Sequence, residues 1–277
     1  MKTDVFRSST YEGYYEALIN DVVVRLESAK LPTKVIVVPS LKDTHHFGFS
    51  LPQPPFAFNP DPSRVFNVSN PALLNIAGTL VAVTSHDIVS ELGRVELYAE
   101  HNNATNAAVK SEKSETAASD SSSTSASASA IAEESKSASS AGASAGASTT
   151  HPKDRRLIRL VSALLDQGSF YPIYPPPAGT SVDQTASAHG LGLSIPVAPD
   201  VLITPSRLTR FADRIPLPGR GFSGRRSDPA VDCERAVVCI NPEYLAKGPS
   251  GGSYAVVTVG QGNGPVPART KVEVVKI

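Results

Sequence analysis

The chain has 277 residues, 40% hydrophobic and 19% charged, and its 26 basic and 26 acidic side chains leave no formal net charge. A neutral chain has no global attraction for nucleic acid or an anionic bilayer, and no apolar run approaches the roughly 18–20 residues that span a membrane. Two cysteines, Cys233 and Cys239, are too few for a disulfide scaffold and fit a reducing compartment, and Met1 to Phe6 lacks the apolar segment of a signal peptide.

In chain order, Ser9 or Thr10 can cap a helix reaching about Ala29. Tyr15, Leu18, Ile19, Val22 and Leu26 form its expected apolar stripe, and Pro32 stops it. Val35–Val38 has the length and continuous apolarity of a strand covered on both faces. Residues 51–62 are too Pro-rich for an interior strand. Leu73–Ile76 and Thr79–Val83 flank Ala77-Gly78 and read as a hairpin. Ser85 is the expected cap of a short helix ended by Gly93.

Residues 101–150 hold 15 Ser and 14 Ala, and Val109 and Ile131 are the only large apolar residues among them. Such a tract cannot bury enough surface to offset its ordering entropy, so 101–151 is expected to be a disordered insert between two ordered blocks, 1–100 and 152–277. Beyond it, Asp154 to Gln167 reads as a helix with Leu157, Leu160, Val161, Leu164 and Leu165 on its buried face and Gly168 as its stop. Val201–Ile203, Ala236–Ile240, Tyr254–Val259 and Val272–Val275 are expected strands. Helices and strands mix, and the C-terminus is strand-rich, which describes an α/β or α+β layered domain.

Five segments in this order carry a family resemblance: VVPSLKDTHHFGFSLPQPPF from Val37, NIAGTLVAVTSHDIVSELG from Asn75, RLIRLVSALLDQGSFYPIYPP from Arg156, IPVAPDVLITPSRLTRFA from Ile195, and CINPEYLAKGPSGGSYA from Cys239. Together they resemble the B subunits of DNA polymerase alpha, the accessory subunits of the polymerase–primase complex. The resemblance implies a calcineurin-like phosphoesterase fold that has lost its activity: a layered β-sandwich flanked by helices. The fold is expected to be incomplete at its N-terminus here, because the active relatives' D-x-H and G-D motifs would precede Met1, and the family's OB domain and N-terminal region are not in this chain. The implied partners are the catalytic subunit's C-terminal domain, primase through the complex, and DNA indirectly, in the nucleus. No cofactor and no membrane are implied, and the complex's structural zinc is expected on the catalytic subunit.

Against that pattern the metal positions are substituted. An active phosphoesterase reads P-G-N-H-D where this chain has Pro39-Ser40-Leu41-Lys42-Asp43, so Leu41 replaces a ligand Asn, Lys42 replaces a His, and Asp43 alone stays polar in kind. A hydrocarbon cannot ligate a hard divalent ion. A ligand His after the next strand falls at Ser85, with His86 one residue late and therefore aimed elsewhere. The G-H-x-H motif becomes Pro205-Ser206-Arg207-Leu208, with Ser206 and Leu208 at the two histidine positions. Catalysis by a metal-bound water is therefore not expected, and the reading is a non-catalytic scaffold. A surviving phosphoesterase using His45, His46 or His86 is the first alternative.

The second alternative is a nucleic-acid-binding module in the basic stretch 207–226, with Arg207, Arg210 and Arg214 as its first contacts and Arg220, Arg225 and Arg226 beyond. Its prolines, glycines and scarce stacking rings favour a solvated or protein-contact loop. Cys239 reads as a core thiol, the adjacent His45-His46 as a loop pair hydrogen-bonded to backbone, and Gly260–Gly264 as a turn between strands rather than a phosphate loop. No G-x-S-x-G elbow supports a triad of Ser206, Asp200 and His189. The segment from Phe170 to Pro175 reads as a packed loop near an interface.

Overall fold

The computed structural model describes residues 10–44, 49–57, 61–97, 152–183, 185, 192–217, 236–246 and 251–277. All of them except Leu97 belong to one unit formed by Met1–Glu96 and Thr150–Ile277, distinct from Leu97–Thr149. The first helix, α1 (Tyr11–Ser28), starts at Thr10, whose side chain accepts a hydrogen bond from the Gly13 amide. Its buried side chains are Ile19 and Val23, which pack with Phe56 and Val65 and against Tyr15, Val35 and Val37. The expected stripe is thus rotated: Leu18 and Val22 are 46% and 40% exposed. The helix carries apolar residues on two faces, and only one of them meets the short parallel pair β1 (Val35–Val37) and β2 (Val65–Asn67).

The main sheet contains β3 (Ala72–Ile76), β4 (Thr79–Val83), β5 (Val201–Ile203), β6 (Phe211–Pro216) and β7 (Ala236–Asn241), in the order β3-β4-β5-β7-β6. Its centre, β4-β5-β7, is parallel, and β3 and β6 close the two edges antiparallel. Alternation along these strands divides their side chains between two cores. Ala82, Leu202, Val237 and Cys239 face α2 (Ile88–Val95) and α3 (Pro152–Gln167), and Leu160, Val161, Leu164 and Leu165 of α3 fill that side. Val201, Val238 and Ile240 face the hairpin β8 (Ser253–Val259) and β9 (Thr270–Lys276), meeting Ala255, Val257 and Val272. The order of layers in this part of the chain is helices, mixed sheet, hairpin.

The α3 stripe, the β3–β4 hairpin and the four C-terminal strands lie where the sequence places them, within a residue or two at their ends. Beyond the α1 stripe, further expectations are corrected. β1 is not covered on both faces, since Ile36 is 40% exposed. Asp87, not Ser85, caps α2, accepting from the Ser90 amide at 3.1 Å. Gly93 lies inside α2, which continues to Val95. The basic stretch is not loop throughout: Arg207 and Arg210 precede β6 in a loop, but Phe211–Pro216 is an edge strand ending at Pro216, where a missing N–H costs nothing. In the segment from Phe170 to Pro175, Phe170, Tyr171 and Ile173 are core packing at 5%, 4% and 8% exposure, and Tyr174 and Pro175 are exposed.

Candidate functional site

The parallel strands β4, β5 and β7 end on the same side of the sheet, and the segment after β1 joins them there. In open α/β sheets this is where ligands are bound. The strand ends surround a cavity of about 1000 Å3 lined by Ser40, Leu41 and Lys42 after β1, Ser85 to Asp87 after β4, Pro205 and Arg207 after β5, and Pro242 to Leu245 after β7. Of the positions read in the sequence as substituted metal ligands, Ser40, Leu41, Lys42 and Ser85 line this cavity, and Asp43, Ser206 and Leu208 do not.

Each substituted residue is committed to a protein contact. The Ser40 amide donates to Asp43 Oδ2 at 2.7 Å, and Asp43 Oδ1 accepts from the Tyr15 hydroxyl at 3.2 Å. Burial and the Asp43 charge push the Tyr15 phenol above its ordinary pKa. Leu41 packs on the helix-side core. Lys42 Nζ stands 5.2 Å over the Tyr244 ring. The Ser85 hydroxyl donates to the Pro39 carbonyl at 2.6 Å, bridging the ends of β1 and β4. Ser206 is fully buried, its amide donating to Asn241 Oδ1 at 2.8 Å and its Oγ accepting from the Leu208 amide at 3.2 Å. Leu208 is partly buried against the helix-side core.

Arg207 lines the same cavity with its side chain half exposed. Arg207 Nε donates to Ser90 Oγ at 2.9 Å and lies 3.9 Å from Asp87 Oδ2, which accepts from the Arg207 amide at 3.0 Å and the Tyr244 hydroxyl at 3.3 Å. Burial and the Asp87 charge hold the Tyr244 phenol above its ordinary pKa. Beside them His86 Nε2 lies 3.0 Å from Glu91 Oε1, an ion-pair distance at which the ring nitrogen is not aligned for a hydrogen bond. Glu91 also accepts from the Tyr171 and Thr180 hydroxyls at 2.9 and 2.6 Å. Among the described residues, no three His, Cys, Asp or Glu side chains form a group able to hold a metal ion.

The other two candidate arginines make separate contacts. The Arg210 amide donates to Glu243 Oε1 at 3.1 Å. Arg214 reaches the carbonyls of Ala268 and Thr270, both at 3.1 Å, and pins β6 to the start of β9. The three arginines are thus not gathered as a phosphate-binding row. Cys239 is fully buried, and burial holds its thiol well above the usual value. His45, His46, His189, Arg220, Arg225, Arg226 and Cys233 lie outside the described residues.

Two asparagines escaped the sequence reading. Asn70, fully buried, accepts at Oδ1 from the Thr84 hydroxyl and the Ser85 amide (3.1 and 3.0 Å) and donates to Gln53 Oε1 at 2.8 Å. Asn241, also fully buried, accepts from the amides of Ser206 and Glu243 (2.8 and 2.9 Å) and donates to the carbonyls of Leu208 and Thr209, both at 3.1 Å. Each fixes one strand-end segment of the cavity rim. Both precede a proline, an Asn-Pro turn signal readable in the sequence.

Residues 9–213 match the family model that describes the B subunits of DNA polymerases alpha and epsilon. The chain is 27% identical over 251 residues to the DNA polymerase alpha B subunit of Mus musculus, covering 89% of this chain and 30% of that protein. The Rattus norvegicus protein of the same name gives the same identity and coverage. The Bos taurus protein is 27% identical over 208 residues, 74% of this chain and 25% of its own length. The chain thus spans about 30% of the length of the rodent relatives.

Proposed function

The chain belongs to the family of DNA polymerase alpha/epsilon B subunits, and from that premise we propose that it acts as a non-catalytic accessory subunit in the DNA polymerase alpha complex. In this reading the folded blocks dock the C-terminal domain of the catalytic subunit, and through it primase, when DNA synthesis starts in the nucleus. DNA is met through the assembly. The reading is supported by the family match and by the residues aligned in the sequence with a phosphoesterase's cation positions, Leu41, Lys42, Ser85, Ser206 and Leu208, of which Leu41, Lys42 and Ser85 line the strand-end cavity. A hydrocarbon or an ammonium at such a position cannot ligate a divalent cation, and without one no activated water is available.

Co-purification tests it. The chain, with and without residues 101–150, is mixed with the catalytic subunit's C-terminal domain. Stoichiometric complex in both cases is expected, with no phosphodiester turnover in manganese. Turnover with tightly bound stoichiometric manganese would replace this reading with the phosphoesterase one. The nucleic-acid alternative requires steeply salt-dependent DNA affinity that weakens in Arg207→Ala and Arg214→Ala. The commitment of both arginines to protein contacts speaks against it.

A further inference from the structure

The main sheet is built from both sides of the Ser/Ala tract. β3 and β4 come from the residues before it, and β5, β6 and β7 from those after it. The two blocks meet where β4 pairs with β5 in parallel, Val81 with Val201, Ala82 with Leu202 and Val83 with Ile203. Both ends of that pair are locked. The Leu80 amide donates to Asp200 Oδ2 and the Asp200 amide to the Leu80 carbonyl, each at 2.8 Å. At the other end the Thr84 amide donates to the Ile203 carbonyl at 3.2 Å. A second crossing lies at Leu51, whose amide donates to the Ser181 carbonyl at 3.0 Å and whose carbonyl accepts from the Asp183 amide at 2.8 Å.

The helix-side core is shared in the same way. Leu51, Ala82, Ile88, Val89 and Leu92 of the first block are buried in one cluster with the α3 stripe, Phe170, Leu193 and Leu202 of the second. Polar contacts frame it: Glu91 with Tyr171 and Thr180, Asp87 with Arg207 and Tyr244, Glu96 with Arg156 and Arg159. Neither block closes this core alone. Without β5, β4 is an edge strand with an unpaired ladder, and without α2 and β4 the α3 stripe loses part of its cover. An apolar core divided between two pieces is how permanent complexes are held. The core residues of this seam are buried by the chain's own two blocks, so the seam does not depend on what any further segment covers.

We propose that the two blocks are each other's binding partner: the seam holds them as a stable noncovalent pair, and the covalent path through 97–151 can be cut while the folded body persists. The tract then contributes only proximity. A flexible linker holds its two ends at a local concentration on the order of millimolar when short, and lower when long. Cutting it removes that proximity and none of the contacts of the seam. The inference is independent of the docking reading, since it concerns contacts within one chain.

The test places a recognition sequence for a site-specific protease between Ser125 and Ala126 of the full chain and cuts it after folding. At about 10 µM protein, a hundredfold below a millimolar proximity, the cut product is expected to elute in gel filtration as one species with the mass of the uncut chain. It keeps the circular-dichroism spectrum of the uncut chain and shows both pieces on a denaturing gel. Its melting temperature rises with protein concentration, and that of the uncut chain does not. Asp200→Ala removes the carboxylate that crosses the seam to the Leu80 amide, and Glu96→Gln weakens the grip on Arg156 and Arg159. Each variant that folds uncut should, once cut, dissociate on dilution at least tenfold more readily. Pieces that separate at 10 µM, or that lose the sheet spectrum on cutting, overturn the proposal. So does a cut product whose melting temperature ignores concentration, or whose dissociation neither variant alters. A species of twice the mass assigns the persistence to association between copies and overturns it as well.

Discussion

Replacing Asn70 by Ala removes one side chain that serves three buried or part-buried groups. The Ser85 amide and the Thr84 hydroxyl lose their acceptor, and Gln53 Oε1 loses a donor. Thr84 and Gln53 are 2% and 1% exposed, so water does not replace what is lost. An orphaned buried polar group costs about 1–3 kcal/mol. The two groups that lose their acceptor give roughly 2–4 kcal/mol, a large fraction of the roughly 5–15 kcal/mol by which ordinary domains are stable. Thr84→Val removes only the hydroxyl, which donates to Asn70 and accepts from the His86 amide, and should cost about 1–2 kcal/mol. Because the two share a hydrogen bond, the double variant should fall short of additivity by about 1 kcal/mol. Urea unfolding of the four proteins, followed by circular dichroism, reads all three numbers. An Asn70→Ala loss below about 1 kcal/mol, or additivity within about 0.5 kcal/mol, would refute the assignment of Asn70 as the anchor of the β4 end.

Ala77 has φ of 50° in the two-residue β3–β4 turn, next to Gly78 at 83°. Ala77→Gly should raise stability by about 1 kcal/mol in chemical denaturation, since only glycine takes that conformation freely. Tyr171 is held above the ordinary phenol pKa by burial and by its hydrogen bond to Glu91. A raised folded value means stability fully present below pH about 10 and lost as pH rises further. Tyr171→Phe should cost about 1.5–2 kcal/mol at neutral pH and flatten that alkaline decline. Burial draws Glu96 upward, but hydrogen bonds from Arg156 and Arg159 outweigh it and hold the carboxyl below its usual range. Its contribution is present above the unfolded value and lost as pH falls through the folded one. Glu96→Gln should therefore be less stable than wild type from pH 5 to 7 and converge with it below pH about 4.

What the sequence disclosed follows from how many registers each pattern allows. The α3 stripe has one apolar face and a Gly168 stop at φ of 57°, so its phase was unambiguous. In α1, Leu18 and Val22 compete with Ile19 and Val23 for the core, and the period alone cannot choose between two apolar faces. β2 has three residues, below the length at which alternation is visible. β6 reads Phe-Ala-Asp-Arg-Ile-Pro, whose charges and proline resemble loop until β7 lies beside it. In the site, the positions read as substituted metal ligands could be picked out because motif spacing follows the chain. Asp87 and Tyr244, 157 residues apart, meet only through the order of the strands.

Glu96 is the last residue of the first folded block, and it grips Arg156 and Arg159 at the start of the second, at 2.8 and 2.6 Å. Arg156 also reaches back to the Gly93 carbonyl at 2.6 Å, where the absence of a side chain lets the guanidinium lie close. The described residues on either side of 98–151 are therefore tied to one another by ion pairs. If the tract is the insert its composition implies, doubling its length changes the closure entropy by only about 0.6 kcal/mol. Evolution can lengthen, shorten or rewrite it while the folded body scarcely registers the difference.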